Sequence, residues 1–201
     1  MRQFEKTLSF DDVLLKPQKS DILSRVEVDI SVECNGHTFG CPIISSPMDT
    51  VTEEQMVKAL DDQGGLGVIH RYNTVQEQAD LTNLALVNGC KNIAAAVGVS
   101  GDFLERSREL VRRGANIICI DVAHGHHLNV KKAIETLKKE LGESISIMAG
   151  NVATAEAFSD LEDWGANIIR VGVGGGSICS TRIQTGHGIP TFHSVDVCSA
   201  V

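Results

Sequence analysis

The chain has no C-x-x-C pair, no apolar run of bilayer length, no basic cluster and no low-complexity linker. Each absence removes a class of function. The six cysteines (Cys34, Cys41, Cys90, Cys119, Cys179 and Cys198) are scattered, so a tetrahedral thiolate zinc site is not expected. They read as free thiols rather than disulfides. The opening residues, Met1-Arg2-Gln3-Phe4-Glu5-Lys6, begin no apolar signal core, and nothing approaches the roughly 20 apolar residues that span a bilayer. The expectation is a cytosolic protein without membrane association. Lys plus Arg number 18 against 26 Asp plus Glu, a formal charge of −8, which argues against general nucleic-acid binding. A local phosphate site stays open, because main-chain N–H groups hold phosphate without net positive charge.

What is present is ordinary for a soluble domain: 201 residues, 42% hydrophobic and 22% charged. Short apolar runs recur at 42–46 (PIISS), 67–70 (GVIH), 93–97 (IAAAV), 117–121 (IICID), 145–149 (ISIMA) and 168–173 (IIRVGV). They are β-branched or small and nearly continuous, as in strands covered on both faces of a parallel sheet. Amphipathic stretches lie between them, at 53–63, 74–87, 102–113, 128–141 and 154–164. Thr52, placed before the first, is the expected N-cap there, and Gly114, Gly142 and Gly165 are the expected stops.

Six β-α units with right-handed crossovers leave an open doubly wound sheet or a closed barrel. Polar residues decide between them. His70 and Arg71, Asp121, Gly150-Asn151 and the 172–176 glycine run each end a strand, and in a barrel those ends share one mouth. A dinucleotide fold wants G-x-G-x-x-G after its first strand, where this chain has Pro47-Met48-Asp49. The expectation is a (β/α)₈ TIM barrel, α/β in class, broken off after its sixth strand: one incomplete domain over 1–201, a fragment inactive alone. Residues 8–33 are expected to cover the barrel bottom.

The segment RVGVGGGSICSTRIQTGHG (170–188) is the most informative. Glycines let a backbone turn with positive φ and approach a ligand closely. Successive N–H groups in such a turn make an anion nest, to which Ser177 adds a hydroxyl. Carbonyls of the same loop can ring a monovalent cation. Cys179 follows on the loop, where a nest and strand-end dipoles favour its thiolate, and Thr181 is placed to pass a proton to or from water. The cluster His124, His126 and His127 has no Cys or carboxylate at ligand spacing and reads as a solvated loop rather than a metal site.

The loop GVGGGSICSTR resembles the catalytic cysteine loop of the IMP dehydrogenase / GMP reductase family. Five further stretches match that family in order: LSFDDVLLKPQKSDILSR (8–25), SPMDTVTE (46–53), GGLGVIHR (64–71), IDVAHGH (120–126) and MAGNVAT (148–154). The resemblance implies that Cys179 attacks C2 of a purine nucleotide and that Thr181 activates water. It implies that Ser177 binds the phosphate, with Ser46, Met48 and Asn151 near the nucleotide. Asp121, Val122 and Ala123 would meet the nicotinamide ribose of NAD or NADP, and Gly172, Val173 and Gly174 would pass beside the nicotinamide. Carbonyls of Gly174, Gly176 and Cys179 resemble K⁺ ligands. Arg71 stands where a Lys is frequent, keeping the charge without a tunable proton. The family is commonly tetrameric, which implies a homo-oligomer.

Two activities share this chemistry: IMP oxidised with NAD and water to XMP, or GMP reductively deaminated with NADPH to IMP. Pro47 before Met48 resembles the dehydrogenase, where reductases tend to have Asn. The lack of a CBS-type regulatory insertion between the second and third strands, and the segment SRVEVD, resemble the reductase. The dehydrogenase is the first expectation. A non-catalytic nucleotide-binding module and a phosphate-binding barrel synthase with an incidental cysteine are the other readings.

Overall fold

The structure, a computed structural model, describes residues 6–201. Two single 3₁₀ turns, Phe10–Asp12 and Arg25–Glu27, precede an antiparallel hairpin, β1 (Val32–Cys34) and β2 (His37–Phe39). Its turn is Asn35-Gly36, with φ of 47° and 78°, the left-handed pair that such a two-residue turn requires. Helices and parallel strands then alternate: α1 (Glu54–Asp62), β3 (Val68–Ile69), α2 (Val75–Val87), β4 (Ala94–Val97), α3 (Phe103–Arg112), β5 (Ile117–Asp121), α4 (Leu128–Leu141), β6 (Ser146–Val152), α5 (Ala155–Asp163) and β7 (Ile168–Val171). Two more helices, α6 (Thr181–Thr185) and α7 (Thr191–Cys198), follow.

The strands form one parallel sheet in the order β3-β4-β5-β6-β7. Chain order and sheet order agree, with no reversal. Alternation along each strand divides the apolar side chains between two faces. Ala95, Val97, Ile118, Ile120, Ile147 and Ala149 pack against α1 to α5 through Val57, Ala85, Leu110, Ile134 and Leu161. Leu66, Val68, Ala94, Ala96, Ile117, Cys119 and Met148 face the other way and pack with one another, with Ile168 of β7, and with Cys34 and Phe39 of the hairpin. Every one of those helices lies on one face, which excludes a doubly wound sheet. Consecutive staves of a (β/α)₈ barrel have this arrangement; here it is an open arc of five strands.

The run 42–46 is not a strand. It contributes a single parallel bridge, Ile44 to Leu66, and its Ile43 and Ile44 are half exposed. The bottom of the sheet is covered by the hairpin rather than by residues 8–33. Asn35 Nδ2 donates to Ser146 Oγ at 2.7 Å, and the His37 ring joins Asn92 and Ser146 at 2.8 and 2.9 Å. Residues 13–31 run over the surface with no buried side chain.

Helix ends follow local chemistry. Thr74 and Glu77 form a reciprocal capping box on α2, and the Thr154 hydroxyl accepts from Ala157 N–H on α5. Thr52 does not cap α1. It is fully buried and donates to the Ser46 carbonyl at 2.7 Å, which leaves Glu53 as the N-cap. All six cysteines are free thiols. Among the described residues, no helix is long and apolar enough to cross a membrane.

Candidate active site

At the C-terminal ends of the strands lies a cleft of about 390 Å³. Asp121, Val122 and Ala123 line it from β5, and Asn151 from β6. The loop after β7 brings Gly172, Val173, Gly174, Cys179 and Thr181, while Arg71 and Tyr72 close it from β3.

Asp121 shares the inner face of β5 with Ile117 and Cys119, four and two residues back, so its carboxylate faces the concave side. There it meets a residue that the sequence reading missed. Arg170, on β7, reaches across β6 and donates through Nη1 to Asp121 Oδ1 at 2.5 Å. The crossing needs a glycine beneath it: a Cβ on Gly150 would sit 2.7 Å from Arg170 Cβ. The same Nη1 is 3.6 Å from Cys119 Sγ. Burial pushes that thiol up to about 11, so Cys119 stays protonated and packs as an apolar residue. The only forewarning of Arg170 was a charge inside the run IIRVGV.

Asn151 is held from three sides. Its N–H donates to Val122 O at 3.1 Å, its carbonyl accepts from Gly125 N–H at 2.8 Å, and its Nδ2 donates to Gly172 O at 2.9 Å. It therefore ties the β5, β6 and β7 ends together as one rim. The loop beyond turns on Gly172 and Gly174, with φ of 124° and 75°, values that only glycine adopts freely. Ile189 N–H donates to Val173 O at 3.1 Å, docking the loop on the approach to α7.

Cys179 stands partly exposed on this rim. Its thiol is held below the ordinary range, first by the Thr181 hydroxyl, then by the Thr181 amide, with the Arg182 charge adding to both. The thiolate is the nucleophilic form, so a side chain two residues away raises its reactive fraction.

Four expected residues do not line the cleft. The Ser46 carbonyl accepts from Thr52 and from Met48 N–H, and the Met48 side chain is exposed. Gly176 and Ser177 are exposed, and the Gly176 carbonyl accepts from Cys179 N–H at 3.1 Å. Asp121 does not cap α4, which His127 does. His126 pairs with Asp160 at 2.7 Å, and no group of three or more potential metal-ligating side chains occurs among the described residues.

The family model described as the IMP dehydrogenase / GMP reductase domain matches residues 7–201. An inosine-5′-monophosphate dehydrogenase of Cryptosporidium parvum is 33% identical over 239 positions, covering 98% of this chain and 58% of its own length. A GMP reductase of Salmonella arizonae is 36% identical over 199 positions, covering 96% and 57%. An inosine-5′-monophosphate dehydrogenase of Nitrosopumilus maritimus is 28% identical over 323 positions, covering 99% and 68%. The chain thus spans between 57% and 68% of the length of these relatives.

Proposed function

Because this chain belongs to the IMP dehydrogenase / GMP reductase family, we propose that its cleft serves a purine nucleotide oxidoreductase with Cys179 as the nucleophile. One observation carries the reading: a thiol of lowered pKa shares a cleft with Thr181, Asn151 and Asp121.

In this reading the Cys179 thiolate adds to C2 of a purine 5′-nucleotide, forming a C–S bond. A bound nicotinamide supplies the acceptor for the hydride that leaves C2. The nucleotide is then held as a thioimidate on Cys179. Water adds at C2, Thr181 relays its proton, and the C–S bond breaks to return the thiolate and the 2-oxo nucleotide. Ser177, exposed on the loop, meets the phosphate, with Ser46, Met48 and Asn151 about the base and sugar. Asp121 fits a ribose: Arg170 engages Oδ1, and Oδ2 remains to accept from a hydroxyl. Val122 and Ala123 flank it, and Gly172 and Val173 offer backbone without bulk beside the nicotinamide. The carbonyls of Gly174, Gly176 and Cys179 suit K⁺ chemically, being neutral oxygen donors, and the Gly176 oxygen keeps one lone pair beyond its bond from Cys179 N–H.

Oxidation of IMP is the first reading, on Pro47 beside Met48. Reduction of GMP is the second, and it has its own support. The alignment with the Salmonella reductase needs 199 positions, whereas the Nitrosopumilus dehydrogenase needs 323 to cover the same chain. This chain lacks what that dehydrogenase inserts.

The test is covalent capture. A 6-halopurine riboside 5′-monophosphate is expected to lose its halide to the Cys179 thiolate at C6, leaving one purine nucleotide bound through a C–S bond, and Cys179→Ala to capture none. Failure of the wild-type chain to react, while iodoacetamide still alkylates Cys179, sinks the nucleotide site.

A further inference from the structure

Arg106 is on α3, away from the cleft, yet it is buried, with 8% of its surface exposed. A buried guanidinium is costly unless its donors are satisfied, and here each of its three nitrogens has a partner. Nε and Nη2 both donate to Asp102 Oδ2, at 3.2 and 2.8 Å. Nη1 donates to Gln78 Oε1 at 2.8 Å. Gln78, fully buried on α2, donates through Nε2 to the Ala96 carbonyl of β4 at 2.8 Å. The remaining bond leaves the helix layer: Nη2 donates to the Asn73 carbonyl at 3.1 Å.

Asn73 ends the loop that follows β3 and carries Arg71 and Tyr72 into the cleft. The loop holds itself weakly. Arg71 Nε and Asn73 Oδ1 are buried without a partner among the described residues. Arg71 reaches the cleft through one long bond, Nη2 to the Asp121 carbonyl at 3.3 Å. The remaining ties are Tyr72 N–H to His70 Nδ1 at 3.1 Å and His70 to Glu53 at 3.3 Å. The bond that ties this loop to the helix layer comes from behind, from the Arg106 guanidinium at 3.1 Å.

We propose that Arg106 is a positioning residue: with Gln78 and Asp102 it clamps the Asn73 carbonyl and so holds Arg71 against Asp121 at the dinucleotide side of the cleft. The inference rests on the reading of that side given above. It adds a residue outside the cleft that sets the placement of one lining it. Arg is suited to the role and Lys is not, because the planar fork serves Asp102, Gln78 and Asn73 at once.

The experiment compares wild type, Arg106→Met, Arg106→Lys, Arg71→Met and the Arg71→Met/Arg106→Met double variant, and reads four signals: amide exchange, dinucleotide affinity, stability and nucleotide capture. Amide exchange at residues 71–73 is expected to rise at least about tenfold in Arg106→Met, from the loss of a charge-assisted hydrogen bond, with α4 and β6 amides unchanged. Affinity for NAD or NADPH, by calorimetry, is expected to fall in Arg106→Met and Arg71→Met alike, and to fall no further in the double variant. Arg106→Lys is expected to recover stability but not affinity. Nucleotide capture at Cys179 is expected to be unaffected in Arg106→Met. Unchanged exchange at 71–73, a uniform rise over the whole chain, or additive losses in the double variant would overturn the clamp alone. A wild-type chain that binds neither dinucleotide overturns the cleft reading and the inference with it, a result told apart by the exchange data.

Discussion

Cys179 and Thr181 are neighbours in sequence, and their chemistry is local. Thr181 presents a hydroxyl and an amide that lower the thiol, so the consequence for pH is direct. A lowered pKa means that the thiolate is populated at a lower pH than in a free thiol. Alkylation of Cys179 by iodoacetamide, followed against pH, is expected to reach its half-maximum below that of a free cysteine. In Thr181→Val the midpoint moves upward and the rate near pH 7.5 falls. Cys119, buried and raised to about 11, stays unlabelled across the same range. An identical profile for both chains would remove Thr181 from the account. This pair was legible in the sequence because everything it needs lies within a few positions of a glycine run. The pair of Asp121 and Arg170 was not. Its members are 49 residues apart, and they meet only because β5, β6 and β7 are adjacent and Gly150 leaves room between them. A charge at the end of an apolar run carries no mark of the partner two strands away.

At the scale of elements, the strands and helices were largely legible, since hydrophobic period and capping chemistry are local signals. The exception is the 42–46 run, whose composition reads as a strand. A parallel strand needs partners along its length, and this run has Leu66 alone; tertiary context outweighs propensity here. The glycine loop shows the reverse case, in which one element dictates another. Gly175 lies under Thr191, the first residue of α7, and a Cβ there would come within 1.8 Å of Thr191 Oγ1. Gly175→Ala must therefore displace the loop or the helix start. The expected cost is roughly 1–3 kcal/mol, as for other overpacked sites, together with slower nucleotide capture at Cys179. Removing the obstruction with Thr191→Ala in the same chain is expected to recover most of the stability. Equal melting of Gly175→Ala and wild type in urea would mean that the loop does not rest on α7.

The whole molecule divides unevenly between a packed body and an arm. The body, from the hairpin to β7, holds both apolar clusters. The arm, residues 13–31, buries none of its side chains; Leu14 and Leu15 are 98% exposed and Leu23 is 93% exposed. Just before it, Phe10 stacks edge-on against Phe192 at 5.6 Å, and the Leu8 carbonyl accepts from His193 N–H at 3.3 Å. The arm is thus pinned at both ends, to α7 and to the hairpin, with nothing in between to slow its opening. Local opening free energy follows buried contact, so proteolysis should read this division. Trypsin is expected to cut first at Lys19 or Arg25, since Pro17 protects the bond after Lys16, well before any of the arginines of α3, and to leave the body folded. Because the cut segment contributes no buried side chain, the nicked protein is expected to melt within a few degrees of the intact one, as for a surface change worth under about 1 kcal/mol. Cleavage in α3 or α4 as early as in the arm, or collapse of the body on nicking, would show that these leucines are covered in solution and that the arm belongs to the core.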